Sequence, residues 1–156
     1  MSSKITIQTL DTHHYVGVRR VVQRDGIGAA CADILPRVAR WLAGRNLRPA
    51  GPPTTIYHSV NRETGAFDIQ PCFFVSTPIE PDGDITPGQT AEGSVLVATH
   101  VGPYETLGDT WHALFTRAQE MDRLVTKSSW EVYVDDPGEV EAAKLRTQIF
   151  VPINDG

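Results

Sequence analysis

The chain has 156 residues, 40% of them hydrophobic, which is enough for one sizeable core and predicts one domain. Its formal net charge of -5, without any basic block, argues against direct nucleic-acid binding and against a membrane partner. No run approaches the roughly 20 apolar residues that span a bilayer. The only cysteines, Cys31 and Cys72, form no Cys-x-x-Cys pair, and the N-terminus has no apolar signal region, so we expect a reduced, cytoplasmic protein.

The first half of the chain predicts a β-rich stretch, a helix and two strands. Residues 5–22 alternate unevenly and indicate one bent strand or two short ones. Apolar residues then recur at helical spacing over residues 27–45. Strands are predicted over residues 54–60 and, after a turn, over residues 66–79.

The second half predicts the same order of elements. Residues 81–93 are rich in Pro, Gly, Asp and Thr and are predicted to be a linker, and a strand follows over residues 94–101. Thr106 and Asp109 have the spacing of a capping box at the start of an amphipathic helix over residues 107–126. Two more strands are predicted, at residues 130–134 and 145–153.

A carboxylate and a phenol share one face of the strand at residues 130–134. The period of two places Glu131 and Tyr133 together, while Trp130, Val132 and Val134 face the other way as core. A carboxylate among aromatic rings suits a flat cationic ligand, because charge and stacking area are supplied together. The alternative is a solvated strand carboxylate.

The two halves together predict an internal repeat and an α+β fold. Repeat one covers about residues 4–80, the linker residues 81–93, and repeat two about residues 94–154. Two β-α-β-β units of this kind merge into one mainly antiparallel sheet, with two helices on one face and a ligand trough on the other.

Three segments carry a resemblance to a known family. They read PAGPPTTIYH at residues 49–58, VGPYETL at residues 101–107 and WEVY at residues 130–133. In this order and spacing the chain resembles the GyrI-like small-molecule-binding domains, also called AraC-type effector-binding domains. The resemblance implies a twinned β-α-β-β fold that binds hydrophobic, planar or cationic compounds. Relatives are often fused to a helix-turn-helix region. The elements predicted for this chain leave no room for one, so it looks like a stand-alone form.

The resemblance and the alternation together define a candidate ligand-binding set. Glu131 supplies the charge. Tyr104 either points into the trough or packs under the start of the second helix, and Trp111, on that helix, either packs in the core or forms the floor of the pocket. The full set is Glu131, Tyr133, Tyr57, Tyr104, Trp111, Phe115 and His58. Gln70 stands where relatives carry a second acid, which weakens a preference for dications. No histidine or cysteine spacing predicts a metal site, and no cofactor is expected.

Three functions remain open. The first is capture of an aromatic or cationic small molecule for sensing, sequestration or resistance to a drug or toxin. The second is inhibition of a protein partner, as for gyrase inhibitors of this family. The third, which the resemblance also implies, is a hydrolase acting on cyclopropane-containing natural products, in which Glu131 positions water and Tyr104 or Tyr133 assists as a catalytic residue.

Overall fold

The computed structural model describes residues 4–125 and 127–154, and within them it contains nine β-strands and two α-helices. The elements are β1 Ile5–Leu10, β2 His14–Val18, β3 Arg20–Val22, α1 Ile27–Gly44, β4 Thr54–Val60, β5 Phe67–Val75, β6 Ile85–Gln89, β7 Gly93–Val101, α2 Leu107–Glu120, β8 Ser129–Tyr133 and β9 Arg146–Pro152. Neither helix in this part of the chain combines the length and apolarity that crossing a bilayer requires.

The chain divides into two compact units. Unit 1 consists of the residues up to Asp11 and from Ala91 onwards, and unit 2 is Thr12–Thr90. In unit 1 the strands lie in the order β1, β7, β9, β8, and in unit 2 in the order β4, β5, β2, β6, with β3 also paired to β5. Every pairing within the units is antiparallel, which confirms the predicted α+β class.

Each unit has one helix that covers one face of its strands. In unit 2 the buried stripe of α1 is Ala30, Ile34, Val38 and Leu42, and it packs on the apolar side chains of β2 and β5. In unit 1 Leu114 and Ala118 of α2 pack on Leu96, Ala98, Ile149 and Val151. Burial of a Val, Leu or Ile side chain contributes about 1.5–3 kcal/mol, so these stripes stabilise the packing of each helix on its strands.

The predicted α2 is longer than the observed helix. The observed helix ends at Glu120 because Asp122 adopts a left-handed conformation with φ 59°. The N–H of Arg123 then donates to the carbonyl of Ala118 at 2.9 Å. The predicted end at Thr126 lies outside the described residues.

The predicted linker is partly a strand, which corrects the interpretation of residues 81–93. β6 lies inside it and pairs with β2 along its length, from His14 opposite Gln89 to Val18 opposite Ile85. Proline and glycine suggested irregular structure, but both are tolerated in a strand at the edge of a sheet. β1, predicted within repeat one, pairs with β7 and belongs to unit 1.

Two glycines in unit 2 allow close approach of neighbouring chain segments. A Cβ added at Gly88 would lie 2.4 Å from the ring of Tyr15, and one at Gly17 would lie 2.2 Å from the carbonyl oxygen of Pro71. The first glycine makes room for a buried tyrosine, and the second allows β2 to lie against β5.

The connection between β8 and β9 is held by one ion pair. Arg146 donates to Asp135 through its backbone N–H at 3.0 Å and through its guanidinium at 2.9 and 2.8 Å. These hydrogen bonds lower the pKa of Asp135. Both ends of this connection are thereby fixed next to the strands.

Replacement of Gly17 by alanine is expected to destabilise the protein by at least about 1–3 kcal/mol, because its Cβ would overlap backbone atoms that cannot move aside. The matched control is Gly28→Ala in the first turn of α1, where nothing lies within 4 Å of the new Cβ. That variant is expected to be neutral or up to about 1 kcal/mol more stable. Urea unfolding of the parent and the two variants measures both effects. Equal unfolding midpoints for the parent and Gly17→Ala would contradict the role of Gly17 in the close approach of β2 to β5.

Because of Tyr15, the free energy of unfolding is expected to change with pH in the alkaline range. Burial, with a smaller effect of Cys72, raises the pKa of Tyr15 from 10.0 to about 12. The folded state therefore keeps its proton while the unfolded state loses it, so stability is retained below pH 10 and decreases as the pH rises towards 12. By pH 11 the loss is about 1.4 kcal/mol.

Tyr15→Phe should lose this part of the pH dependence. The free energy of unfolding in urea at pH 8 and pH 11 is the measurement, because other groups titrate equally in both proteins. A variant whose stability falls as steeply as that of the parent would contradict the role of Tyr15.

Candidate functional site

The centre of the candidate site is the buried carboxylate of Glu131 on β8. Its side chain is only 3% exposed. Trp111 Nε1 donates to Oε2 at 3.0 Å, and the hydroxyl of Tyr133 donates to Oε1 at 2.7 Å. Each carboxylate oxygen thus accepts a hydrogen bond from an aromatic side chain, which fixes the orientation of the carboxylate.

Glu131 lies on the same side of β8 as helix α2, and not on the face opposite the helices where the sequence analysis placed it. Its partner across β9 is Ile149, which packs under α2, and its hydrogen bond to Trp111 comes from that helix. The prediction put the acid in a trough on the face away from the helices. Sequence alternation separates the two faces of a strand but does not indicate which face the helix covers.

The other face of β8 is apolar, as predicted. Trp130 is buried and stacks on Phe150 with centroids 5.1 Å apart and an interplanar angle of 8°. Val132 is also buried. Trp130 therefore has a packing role, and Glu131 and Tyr133 remain together on the face towards α2.

Helix α2 presents two aromatic rings beside the carboxylate. Trp111 and Phe115 are one turn apart and stack with centroids 5.9 Å apart at 26°. Phe115 is 41% exposed, whereas Trp111 is half-buried. Trp111 packs against the core of unit 1, as one of its two interpretations predicted, and it also orients Glu131.

Tyr104 packs against Tyr133. It begins the short 3-10 turn Tyr104–Thr106 and is 37% exposed. The two phenol rings meet edge to face, with centroids 5.8 Å apart and an interplanar angle of 67°. The structure thus brings together five of the predicted residues in unit 1, namely Glu131, Tyr133, Tyr104, Trp111 and Phe115.

The remaining two predicted residues, Tyr57 and His58, belong to unit 2. Tyr57 packs against the core under α1 and lies edge-on to Phe67, with centroids 6.3 Å apart. His58 lies at a register shift in β4 and contacts Oε1 of Gln70 through Nε2 at 2.8 Å.

The amide of Gln70 determines which nitrogen of His58 carries a proton. Gln70 Nε2 donates to the carbonyl and the hydroxyl of Thr86 at 3.0 and 3.1 Å, so its oxygen faces His58. Because that oxygen only accepts, His58 Nε2 is the donor. Gln70 stands at the position where relatives carry a second acid. In this chain it is a buried structural amide.

His100 is a structural residue that the sequence analysis did not place. Its buried ring contacts Thr110 Oγ1 through Nδ1 at 2.8 Å and Thr106 Oγ1 through Nε2 at 2.9 Å. The hydroxyl of Thr106 donates to the carbonyl of Pro103, so it accepts from His100 Nε2. The predicted capping box is therefore wrong, because Thr106 makes no side-chain cap and instead attaches the turn before α2 to His100.

This attachment positions Tyr104, which follows directly after Pro103. Gly102, with φ 141, provides the backbone conformation at the bend, and its N–H donates to the carbonyl of Leu145 at 2.8 Å. The signal for this arrangement in the sequence is the motif VGPYETL, where glycine and proline precede the tyrosine. The described residues contain no cluster of three or more His, Cys, Asp or Glu side chains suited to a metal ion.

Solved structures with this architecture have low sequence identity to the chain and establish the fold alone. The EcmrR C-terminal domain matches with a TM-score of 0.83 at 18% identity, covering 100% of both chains. In an EcmrR–DNA complex the match covers 99% of this chain but 58% of EcmrR, so the chain spans just over half of that protein. No curated protein sequence matches the chain significantly.

Two further structures have functional descriptions of their own. A hydrolase encoded by lin2189 from Listeria innocua matches with a TM-score of 0.65 at 12% identity, covering 98% of this chain and 93% of that one. SAV2435 bound to tetraphenylphosphonium matches with a TM-score of 0.66 at 11% identity, covering 97% and 94%. The sequence itself matches the model of the GyrI-like small molecule binding domain over residues 3–154, and the chain belongs to that family.

Proposed function

We propose that the protein binds flat, hydrophobic organic cations, with Glu131 pairing with the positive charge, and that it serves to sense or sequester such compounds. The observation that carries this proposal is the buried carboxylate of Glu131, held by Trp111 and Tyr133 next to a stacked aromatic pair.

The electrostatics of Glu131 favour a cationic ligand. A buried carboxylate is costly unless it is hydrogen-bonded and paired with a charge. Trp111 and Tyr133 hold the carboxylate of Glu131 in place through hydrogen bonds. The attraction between this carboxylate and a bound cation is stronger in a site with little water than at an exposed one.

The aromatic rings favour a flat and largely apolar ligand. Phe115 and Tyr104 are each more than one third exposed although both are large aromatic side chains. Each packs on a ring that bonds to Glu131, Phe115 on Trp111 and Tyr104 on Tyr133. Aromatic faces attract cations and provide stacking area. The tetraphenylphosphonium in SAV2435, a protein of the same fold, supports the hydrophobic and cationic character of the ligand.

Glu131→Gln should weaken binding of N-methylacridinium at least about tenfold, since it removes a charge whose attraction to a cation about 4 Å away is about 4 kcal/mol at an effective dielectric constant of about 20. It should leave binding of acridine, which is neutral at pH 8, much less affected. The measurement is isothermal titration of both compounds against both proteins at pH 8. Glu139→Gln removes the same charge from an exposed position and is the matched control.

Two results would count against the proposal. Equal affinity of Glu131→Gln and the parent for N-methylacridinium would show that Glu131 does not pair with the charge. Mass spectrometry of each mixture tests the hydrolase alternative, because a ligand that gains the mass of water in the parent but not in Glu131→Gln is a substrate.

Ligand binding should quench Trp111 in preference to the other two tryptophans. Trp111 contacts Glu131, while Trp130 lies on the opposite face of β8 and Trp41 donates to Asp82 and stacks with Arg45 in unit 2. Trp111→Phe is therefore expected to lose most of the quenching by N-methylacridinium. Trp41→Phe is the control and should keep it. If N-methylacridinium quenches the fluorescence of Trp111→Phe as fully as that of the parent, the ligand binds away from Trp111.

A further inference from the structure

The hydroxyl of Thr147 is buried without a hydrogen-bond partner among the described residues. Thr147 lies on β9 and has no exposed surface, and its Oγ1 is the one buried side-chain polar atom in residues 4–125 and 127–154 that lacks a partner. A buried hydroxyl without a partner costs free energy, so its presence calls for a physical reason.

Thr147 lies on the same face as the Glu131 carboxylate. Its partner on β8 is Tyr133 and its partner on β7 is His100. Side chains of such partners have Cβ atoms about 4.5–5.5 Å apart, and the diagonal neighbour, here Glu131, lies about 7–8 Å away. The unpaired hydroxyl is therefore located one strand across from the charged centre of the proposed site.

Both neighbouring polar side chains direct their hydrogen bonds elsewhere. His100 uses Nδ1 towards Thr110 and Nε2 towards Thr106. Tyr133 donates its hydroxyl proton to Glu131. The hydroxyl of Thr147 is thus the polar group on this face that has no hydrogen-bond partner among the described residues.

We propose that Thr147 is a further ligand-binding residue, whose hydroxyl hydrogen-bonds a polar substituent of the cation held by Glu131. This inference rests on the proposed function and narrows the ligand class. The preferred ligand is a flat cation that carries an amine, hydroxyl or carbonyl group within about 7–8 Å of its charge. Since the hydroxyl has no contact with solvent, the ligand must shift a side chain, and Tyr104, partly exposed and packed on Tyr133, is the candidate.

Two dyes that differ only in their polar substituents test the inference. N-methylproflavinium carries two amino groups, whereas N-methylacridinium has the same ring system and the same permanent charge without them. Thr147→Val removes the hydroxyl and keeps the shape, and Thr147→Ser keeps the hydroxyl and loses the methyl group. Affinities of both dyes are measured by isothermal titration for the parent and the two variants, together with the melting temperature.

The expected result has three parts. Thr147→Val weakens binding of N-methylproflavinium about five- to tenfold and leaves binding of N-methylacridinium unchanged. Thr147→Ser keeps the preference of the parent for the amino-substituted dye. The melting temperature of Thr147→Val is equal to or higher than that of the parent, because an unsatisfied buried polar group has been replaced by an apolar one.

The outcomes separate this inference from the proposed function. If the parent binds both dyes and Glu131→Gln weakens both, while Thr147→Val changes neither or changes both equally, Thr147 is not a ligand-binding residue and the proposed function stands. A Thr147→Val protein with a lower melting temperature would show that its hydroxyl stabilises the fold, which also overturns the inference. If the parent binds neither dye, both proposals fail.

Discussion

The buried carboxylate of Glu131 is the constraint on which the rest of the candidate site depends. An ionised group with 3% exposure requires hydrogen-bond donors, and the chain provides them from Trp111 on α2 and Tyr133 on the same strand. Both donors are aromatic, so the groups that satisfy the charge also build the apolar surface around it. Helix α2 must therefore lie over β8 at a distance that the core of unit 1 sets through Leu114.

The two units differ in the contact between their helix and a strand. In unit 1 a helix residue, Trp111, contacts a strand residue, Glu131. In unit 2 the corresponding pair is Cys31 on α1 and Thr55 on β4, with Cys31 Sγ 3.3 Å from Thr55 Oγ1. Helix and strand meet in the same way, but a neutral pair replaces the charged one. The repeat preserves the packing positions, and only unit 1 carries an acid at this place.

Much of the fold could be predicted from the sequence, because periodicity reflects local geometry. Alternation identified β8 and the shared face of Glu131 and Tyr133, and the apolar stripe identified α2. β6 was missed because its Pro87 and Gly88 resemble a loop, and only pairing with β2 makes this segment a strand. Such pairing is a long-range property that no local pattern contains.

The candidate site was harder to predict than the fold for a related reason. Residue types pointed to Glu131 and its aromatic neighbours, but the side of the sheet depends on where the helix packs. The roles of His100 and Thr147 depend on the direction of single hydrogen bonds, which changes with one rotamer. The motif around Gly102 marked the bend before α2, yet it gave no indication that His100 holds that bend in place.

The hydrogen bonds to Glu131 also favour binding over proton transfer. A general base needs an accessible lone pair and a basicity matched to its working pH. Donors on both oxygens of Glu131 use lone pairs with which a general base would accept a proton. The same donors hold the carboxylate in one orientation, which suits a ligand whose cation lies against the rings of Trp111 and Tyr133. This fixed orientation is the reason why we propose that Glu131 pairs with a bound cation and does not abstract a proton from water.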